Sequence, residues 1–371
     1  MPKVSIIVPV CNMTNSEKSC IKSIIGQSLK DIEVIFIVYD TSKESVQFLK
    51  TCVKNDGRLM LVDQSDGKGY GNGMNRGLNM ASGEYVGFVR LEDIIDPDMY
   101  RNLYILAQKN DLDFVKADYY QISTNKNQKD ALRIHKHLTS APEYNIVTDP
   151  YEKPYVACAS SGICSGIYRR EFIEKNHIRY GDAVGEALWE HAFNWQLTVF
   201  AKRCMFLDKP YYKQRKITFL FTADKKQQVY HVNMEYDYIR DILMSKENEK
   251  LWEHYKSYYN ADRFRQYVLT SVSIDNKFKR EYVERISKEF RRAFNLGEID
   301  ISVFTPEDQK KLRLLIKSPY TYYQKYALYP EMNVGNRIKC QINITKDMFK
   351  LITVRMRKVF LYLTHSMSAG K

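Results

Sequence analysis

Short apolar runs rich in β-branched residues recur between helical stretches, and this alternation constrains the fold of the chain more than any other feature. Val4–Val10 is the first such run, and residues 33–38 are the second. Between them, from about residue 16 to residue 28, apolar side chains recur at helical spacing. Strands that alternate with helices predict a mostly parallel sheet that helices cover on both faces. We therefore expect an α/β fold.

The loops that follow the predicted strands are the expected place for a ligand. Two further strands are expected at 59–62 and 83–89, with a helical segment at 74–80. A helix should begin after Asp96, which can cap it, with Pro97 in the first turn. In such a sheet, ligands bind at the carboxyl ends of the strands. Three loops meet at this edge, at residues 9–12, 39–45 and 90–96.

The composition of the chain changes near residue 224, where long helical stretches rich in Tyr, Lys, Arg and Glu begin. We predict an α/β domain at 1–223 and an α-helical, basic region at 224–371. The net charge is 57 − 44 = +13, yet residues 1–223 hold 29 Lys and Arg against 26 Asp and Glu. Because nucleic-acid-binding enzymes line their groove with basic residues, nucleic acid is not an expected partner.

Most of the excess positive charge lies in residues 301–371, which hold 13 Lys and Arg against 4 Asp and Glu. Within them, residues 348–363 mix apolar side chains with four cations and contain no acid. Such a segment either lies on an anionic membrane surface or docks on the enzyme or on a second subunit, as in a homo-oligomer. The cations are Lys350, Arg355, Arg357 and Lys358.

The seven cysteines are scattered and contain no Cys-x-x-Cys pair, which favours neither a zinc site nor a disulfide framework. No stretch reaches the roughly 18 apolar residues that span a bilayer, and the first residues lack the pattern of a signal peptide. We expect a reduced, cytoplasmic protein, with the inner face of the cytoplasmic membrane as the place of any peripheral association.

Five segments in order resemble glycosyltransferase family 2, over roughly residues 3–218. The resemblance implies a Rossmann-related fold, known as GT-A, and transfer of a sugar with inversion from a nucleotide-diphospho-sugar donor. The acceptor implied is a hydroxyl group of a cell-surface saccharide or of a lipid-linked saccharide. The segments are VSIIVPVCN at 4–12, SLKDIEV at 28–34, GKGYGNGMNRGL at 67–78, SGEY at 82–85 and IIDPDMY at 94–100.

The resemblance also implies which residues bind the nucleotide sugar. Cys11 stands where an aromatic residue is usual, and Met74 stands where an arginine is usual. Asp40 would accept a hydrogen bond from the base, and Arg215 would close over the diphosphate. The full predicted set is Pro9, Cys11, Asp40, Lys68, Asn75, Arg90 and Arg215.

The segment that aligns with the family's Asp-x-Asp metal motif reads Arg90-Leu-Glu92-Asp93. The resemblance implies Mn²⁺ or Mg²⁺, with Glu92 and Asp93 as ligands and His191 as a further contact. Arg90 cannot bind a metal ion, but it can pair with phosphate and take over part of the metal's electrostatic role. Alternatively, Arg90 forms an ion pair with Asp93 or Glu92 in a decayed motif.

The general base for the acceptor hydroxyl is expected in residues 185–195, which resemble the family's G-E-D-x-x-F region. Aligning on Phe193 makes Glu190 the base, whereas aligning on Gly185 selects Glu186. We predict Glu190. The alternative function is a non-catalytic GT-A-like domain that binds nucleotide sugar or serves as an assembly subunit.

Overall fold

Nine strands form one mixed sheet in the described part of this computed structural model. The described residues are 1–10, 17–39, 41–63, 69–124, 130–138, 143–159, 162–181, 189–215 and 228–328. The strands are β1 Val4–Val10, β2 Ile32–Val38, β3 Leu59–Asp63, β4 Tyr85–Phe88, β5 Ile94–Ile95, β6 Phe114–Thr124, β7 Asp130–His135, β8 Gly166–Arg169 and β9 Cys204–Arg215. Their order is β3-β2-β1-β4-β8-β6-β9-β5, and β7 pairs with β6.

The strand directions place six carboxyl ends at one edge of the sheet. β1 is parallel to β2 and β4, β2 is parallel to β3, and β6 is parallel to β9. β8 is antiparallel to both β4 and β6, so these two strands run in the same direction. The loop after β4 and the end of β9 therefore lie at the same edge. The expected α/β class, with a mostly parallel sheet followed by a helical region, is confirmed.

Two helices begin at positions other than those predicted from the sequence. The helix expected at 74–80 begins at Gly69. The helix expected after Asp96 begins at Met99 instead, with Asp98 as its N-cap residue. Asp96 Oδ1 accepts the N–H of Asp98 at 3.0 Å, because an aspartate readily bonds the backbone two residues on. The helices are α1 Glu17–Ile25, α2 Lys43–Asn55, α3 Gly69–Met80, α4 Met99–Lys109, α5 Arg170–Lys175, α6 Trp189–Phe200, α7 His231–Leu243, α8 Glu249–Ser273, α9 Asn276–Asn295, α10 Pro306–Lys317 and α11 Pro319–Tyr322.

The buried carboxylate of Glu33 joins two of the segments that resemble the family, SLKDIEV at 28–34 and SGEY at 82–85. Glu33 in β2 accepts hydrogen bonds from the backbone N–H groups of Ser82 at 2.7 Å and of Gly83 at 3.2 Å. A Cβ atom at Gly83 would lie 2.7 Å from Ser5 N, so this approach requires glycine. Glu33 thus fixes the turn that leads into β4, and β4 leads to the site.

The chain divides into two compact units. One comprises Met1–Phe219 with Asn233–Ser245, and the other comprises Leu220–Val232 with the segment from Lys246 onward. The expected division after residue 223 does not anticipate the return of the chain at 233–245, which contributes most of α7 to the first unit. Among the described helices, none is both long enough and apolar enough to cross a membrane.

Candidate functional site

Asp93 ties the loop after β4 to the end of β9. Its side chain is fully buried. Asp93 Oδ1 accepts the backbone N–H of Arg215 at 2.7 Å, and Asp93 Oδ2 accepts the hydroxyl of Tyr212 at 2.6 Å. Burial raises the pKa of Asp93, while the ion pair with Arg90 opposes that rise. The two predicted segments around Arg90 and Arg215 therefore meet at the carboxyl edge of the sheet.

Arg90 is paired with both acids of its own loop. Its Nε lies 3.1 Å from Asp93 Oδ2 and 3.3 Å from Glu92 Oε1. Its Nη2 also donates to the carbonyl of Arg215 at 3.4 Å. Although burial disfavours the charge, the acids raise the pKa of Arg90, so the guanidinium stays positive. One fifth of the side chain remains exposed, which leaves it accessible to an anion.

Tyr212 is a site residue that the sequence analysis missed. Its hydroxyl accepts the backbone N–H of Arg90 at 3.2 Å and donates to Asp93. It is buried in β9, 119 residues after Asp93 in the chain. Tyr211 and Tyr212 are both buried in β9, so strand alternation does not single out Tyr212, and no local pattern shows which loop its side chain meets.

Glu190 lies in the first turn of α6 and belongs to the same electrostatic cluster as Arg90. It is half-buried, and its Oε1 lies 4.0 Å from the Sγ of Cys164. Burial raises the pKa of Glu190, and the positive charges of Arg90 and Lys116 oppose this rise. An ionised carboxylate can accept the proton of a hydroxyl group, and a raised pKa makes it a stronger base.

Two residues of α7 hold the start of α6. Glu235 Oε1 accepts the backbone N–H of Ala192, in the first turn of that helix, at 3.0 Å. Tyr236 Oη lies 2.7 Å from His191 Nε2. The prediction made His191 a metal or phosphate contact. The structure instead turns its buried ring toward α7, where it helps to place the helix that carries Glu190.

Lys116 is a second residue that the sequence analysis missed. It is buried in β6, and its Nζ donates to the side-chain carbonyl of Asn194, one helical turn after Glu190. The Nζ also lies 5.7 Å from the ring centre of Phe114 and 5.9 Å from that of Tyr168. Burial lowers the pKa of Lys116 to about 7. Phe114 and Lys116 are two residues apart in β6 and therefore lie on the same face of the sheet. This spacing from an apolar residue could have indicated that Lys116 is buried.

Of the other residues predicted to bind the nucleotide sugar, the structure describes Asn75 and Pro9. The side-chain amide of Asn75 donates to the carbonyl of Tyr180 and accepts its N–H, both at 2.9 Å, so it holds a loop in place. Pro9 lies within β1, opposite Ile37 of β2, rather than in the following loop. Four predicted residues lie outside the described part of the chain: Cys11, Asp40, Lys68 and Glu186.

The described residues of this loop do not fit a divalent cation. Both carboxylate oxygens of Asp93 accept hydrogen bonds, and Glu92 Oε1 faces Arg90. A metal ion needs those same lone pairs. Within the described ranges, no three His, Cys, Asp or Glu side chains surround a common point. Both oxygens of Asp93 and one of Glu92, which were expected to bind Mn²⁺ or Mg²⁺, thus already face Arg90, Tyr212 and Arg215.

The chain is similar in sequence to known glycosyltransferases. The sequence model described as "Glycosyl transferase family 2" matches residues 5–175. The uncharacterized glycosyltransferase EpsJ of Bacillus subtilis is 28% identical over 221 residues, which are 58% of this chain and 62% of EpsJ. A Campylobacter jejuni GalNAc(5)-diNAcBac-PP-undecaprenol beta-1,3-glucosyltransferase is 35% identical over 94 residues, 25% of this chain and 30% of that enzyme. The chain spans less than two thirds of either relative.

Among solved structures, S. aureus TarS 1-349 in complex with UDP-GlcNAc has a TM-score of 0.63 at 15% sequence identity. The match covers 87% of this chain and 89% of that one. At this identity the similarity establishes the fold, a GT-A-type sheet with a helical region after it. The family resemblance expected from the sequence is borne out by the sequence model over residues 5–175 and by relatives named as glycosyltransferases.

Proposed function

Residues 5–175 belong to glycosyl transferase family 2, and on that premise we propose that the chain transfers a sugar from a nucleotide-diphospho-sugar to a saccharide hydroxyl group. One observation carries the proposal: a fixed cation, Arg90, and a proton-accepting carboxyl group, Glu190, interact in one site at the carboxyl edge of the sheet. Sugar transfer needs both charges, one for the departing diphosphate and one for the incoming hydroxyl group.

The reaction that we propose inverts the anomeric carbon. The acceptor oxygen forms a bond to that carbon while the bond from the carbon to the diphosphate oxygen breaks. Glu190 takes the acceptor proton, and Arg90 faces the negative charge that develops on the diphosphate. Arg215 would add a second cation, since its backbone is bound to Asp93 and Arg90. Asp40 would hold the base of the nucleotide.

We propose that Arg90 supplies the counter-charge that a metal ion supplies in relatives with an Asp-x-Asp motif. Its charge is held by Asp93 and Glu92, so it is oriented before the donor binds. Preorganised charge costs no reorganisation during the reaction. A guanidinium group also matches two phosphate oxygens at once. On this proposal, transfer proceeds without Mn²⁺ or Mg²⁺.

The donor and acceptor classes follow from the relatives. TarS binds UDP-GlcNAc in its solved structure, and the C. jejuni relative is named for an undecaprenol-linked saccharide. We therefore propose a nucleotide-diphospho-sugar donor, with UDP-GlcNAc as the first one to test. The proposed acceptor is a cell-surface saccharide, such as a lipooligosaccharide or a capsule, in free or lipid-linked form, reached from the cytoplasmic side.

The alternative is a non-catalytic domain that binds nucleotide sugar. This alternative is favoured by the hydrogen bonds that both carboxylate oxygens of Asp93 accept. An enzyme that had lost its metal site would show the same contacts in this loop. The two proposals differ in turnover and agree on donor binding.

A screen of nucleotides and nucleotide sugars, each with and without Mn²⁺, tests both proposals. A donor that binds the folded state raises the melting temperature, by mass action. Each donor that does so is then incubated with lipid-linked and free saccharides, and the released nucleoside diphosphate is measured. Release that depends on an acceptor supports the transferase. Binding without release over the whole panel supports the non-catalytic domain, and no binding contradicts both.

A further inference from the structure

The carboxyl end of α9, in the second unit, exposes two large apolar side chains. Phe294 is 52% exposed and Leu296 is 57% exposed. The backbone here is well ordered by hydrogen bonds: Gly297 N–H donates to Phe294 O at 3.1 Å, and Glu298 N–H donates to Ala293 O at 3.0 Å. Gly297 has a φ of +67°, which completes a glycine-terminated helix end. The helix end therefore presents both side chains to solvent in a defined position.

Exposed cations lie in the same last turns of α9 as this apolar pair. Lys288, Arg291 and Arg292 are exposed and share one side of the last two turns of α9. The Nη2 of Arg291 donates to the carbonyl of Ile316 at 2.7 Å, which brings in the last turn of α10 with its exposed Lys317. This positive charge is therefore concentrated where the two helices end.

Little negative charge offsets these cations. From residue 288 to residue 300 the sequence contains three acids, Glu289, Glu298 and Asp300. Glu289 Oε1 accepts a hydrogen bond from Arg285 Nε at 2.9 Å, one turn earlier in the helix. Glu298 is buried, and Asp300 Oδ1 accepts the backbone N–H of Ser302 at 2.9 Å. On α10, the acids Glu307 and Asp308 lie in the first turn, at the opposite end from Lys317.

We propose that this basic–apolar tip, comprising Lys288, Arg291, Arg292, Phe294, Leu296 and Lys317, binds the surface of an anionic lipid bilayer. Cations attract the negative headgroups, and each one near the surface adds to binding. Phe294 and Leu296 then enter the boundary between headgroups and acyl chains. A soluble polyanion would match the charges but would offer nothing apolar to the two exposed side chains, so the combination favours a bilayer.

The tip is distinct in sequence from the basic segment at 348–363, which lies outside the described residues. The two can therefore be separated by substitution in the full chain. The tip also does not depend on the proposed sugar transfer, because it lies in the second unit and the site residues lie in the first.

The test is co-sedimentation of the full-length chain with vesicles of phosphatidylcholine alone, or with about one third phosphatidylglycerol. We expect binding to the anionic vesicles only, and loss of binding in high salt, since salt screens exposed charges. Both F294S/L296S and R291Q/R292Q should reduce binding about tenfold or more. Melting temperatures establish that each variant is folded.

Matched controls change exposed side chains of similar chemistry elsewhere. M80S/I105S removes two exposed apolar side chains from the first unit, and K109Q/K175Q removes two exposed lysines there. Both should bind as the unchanged chain does. Unchanged binding by the folded tip variants, with loss in R355Q/R357Q/K358Q, would overturn the proposal in favour of the tail. Binding to neither vesicle, or equal binding to both, would overturn it as well.

Discussion

Glu235 accepts a hydrogen bond from the backbone N–H of Ala192 at 3.0 Å, so a residue of α7 holds the first turn of the helix that carries Glu190. The segment 233–245 belongs to the first unit although its neighbours in sequence belong to the second. The position of Glu190, the proposed base, thus depends on residues 233–245, which lie outside the 1–223 domain predicted from the sequence.

Replacing Glu235 by alanine should lower both stability and turnover. The buried N–H of Ala192 would lose its acceptor, which costs about 1 kcal/mol at a helix amino terminus. The E235Q variant keeps an acceptor oxygen and should retain most of the turnover. Thermal unfolding and donor turnover measure the two effects. Equal turnover in E235A and the unchanged chain would show that α7 does not position Glu190.

Replacing Glu190 by glutamine should abolish transfer and leave nucleotide affinity nearly unchanged. The amide cannot take the acceptor proton, and the loss of a general base lowers the rate about 100-fold or more. Turnover and donor binding by calorimetry measure these outcomes. The exposed Glu171 of α5 offers a control, since E171Q should change neither. Undiminished turnover in E190Q would remove Glu190 from the mechanism.

Transfer by the unchanged chain should survive EDTA, because Arg90 supplies the positive charge that meets the diphosphate. The R90Q variant should lose about 100-fold or more in turnover, as is typical when a charge-stabilising group is removed. R101Q, at an exposed position of α4, should behave as the unchanged chain. Complete loss of activity on chelation, restored by Mn²⁺, would instead assign the charge to a metal ion.

Lys116 should make stability depend on pH in the alkaline range. Burial lowers its pKa from 10.5 to about 7 in the folded state. Between these values the unfolded chain binds more protons than the folded chain, so the free energy of unfolding rises with pH there. The contribution is at most about 1.4 kcal/mol per pH unit.

The comparison is between the unchanged chain and K116M, by urea unfolding at several pH values from 7 to 10. K116M should lose part of the rise, whatever its overall stability, because methionine does not titrate. K109M, at an exposed position of α4, should keep the full rise. Identical slopes in K116M and the unchanged chain would show that Lys116 does not titrate in this range.

From the sequence alone, the first four strands could be predicted, together with the edge of the sheet where the candidate site lies. β-branched runs and helical spacing are local signals, and they located β1, β2 and the loop after β4 within a few residues. The directions of parallel strands then placed Arg90 at the carboxyl edge. A local hydrogen bond still changed where α4 begins: Asp96 accepts the backbone N–H of Asp98, and the helix starts at Met99.

Only the tertiary structure decided what each polar side chain does. Arg90 could pair with phosphate or with its neighbouring acids, and the sequence left both open; the fold brings Tyr212 and Arg215 onto Asp93, from more than a hundred residues away. The fold likewise brings Asn75 into a hydrogen bond with the backbone of Tyr180 and His191 into one with the hydroxyl of Tyr236. A hydrogen bond depends on distances of about 3 Å between atoms that the fold alone brings together, and no local pattern contains that distance.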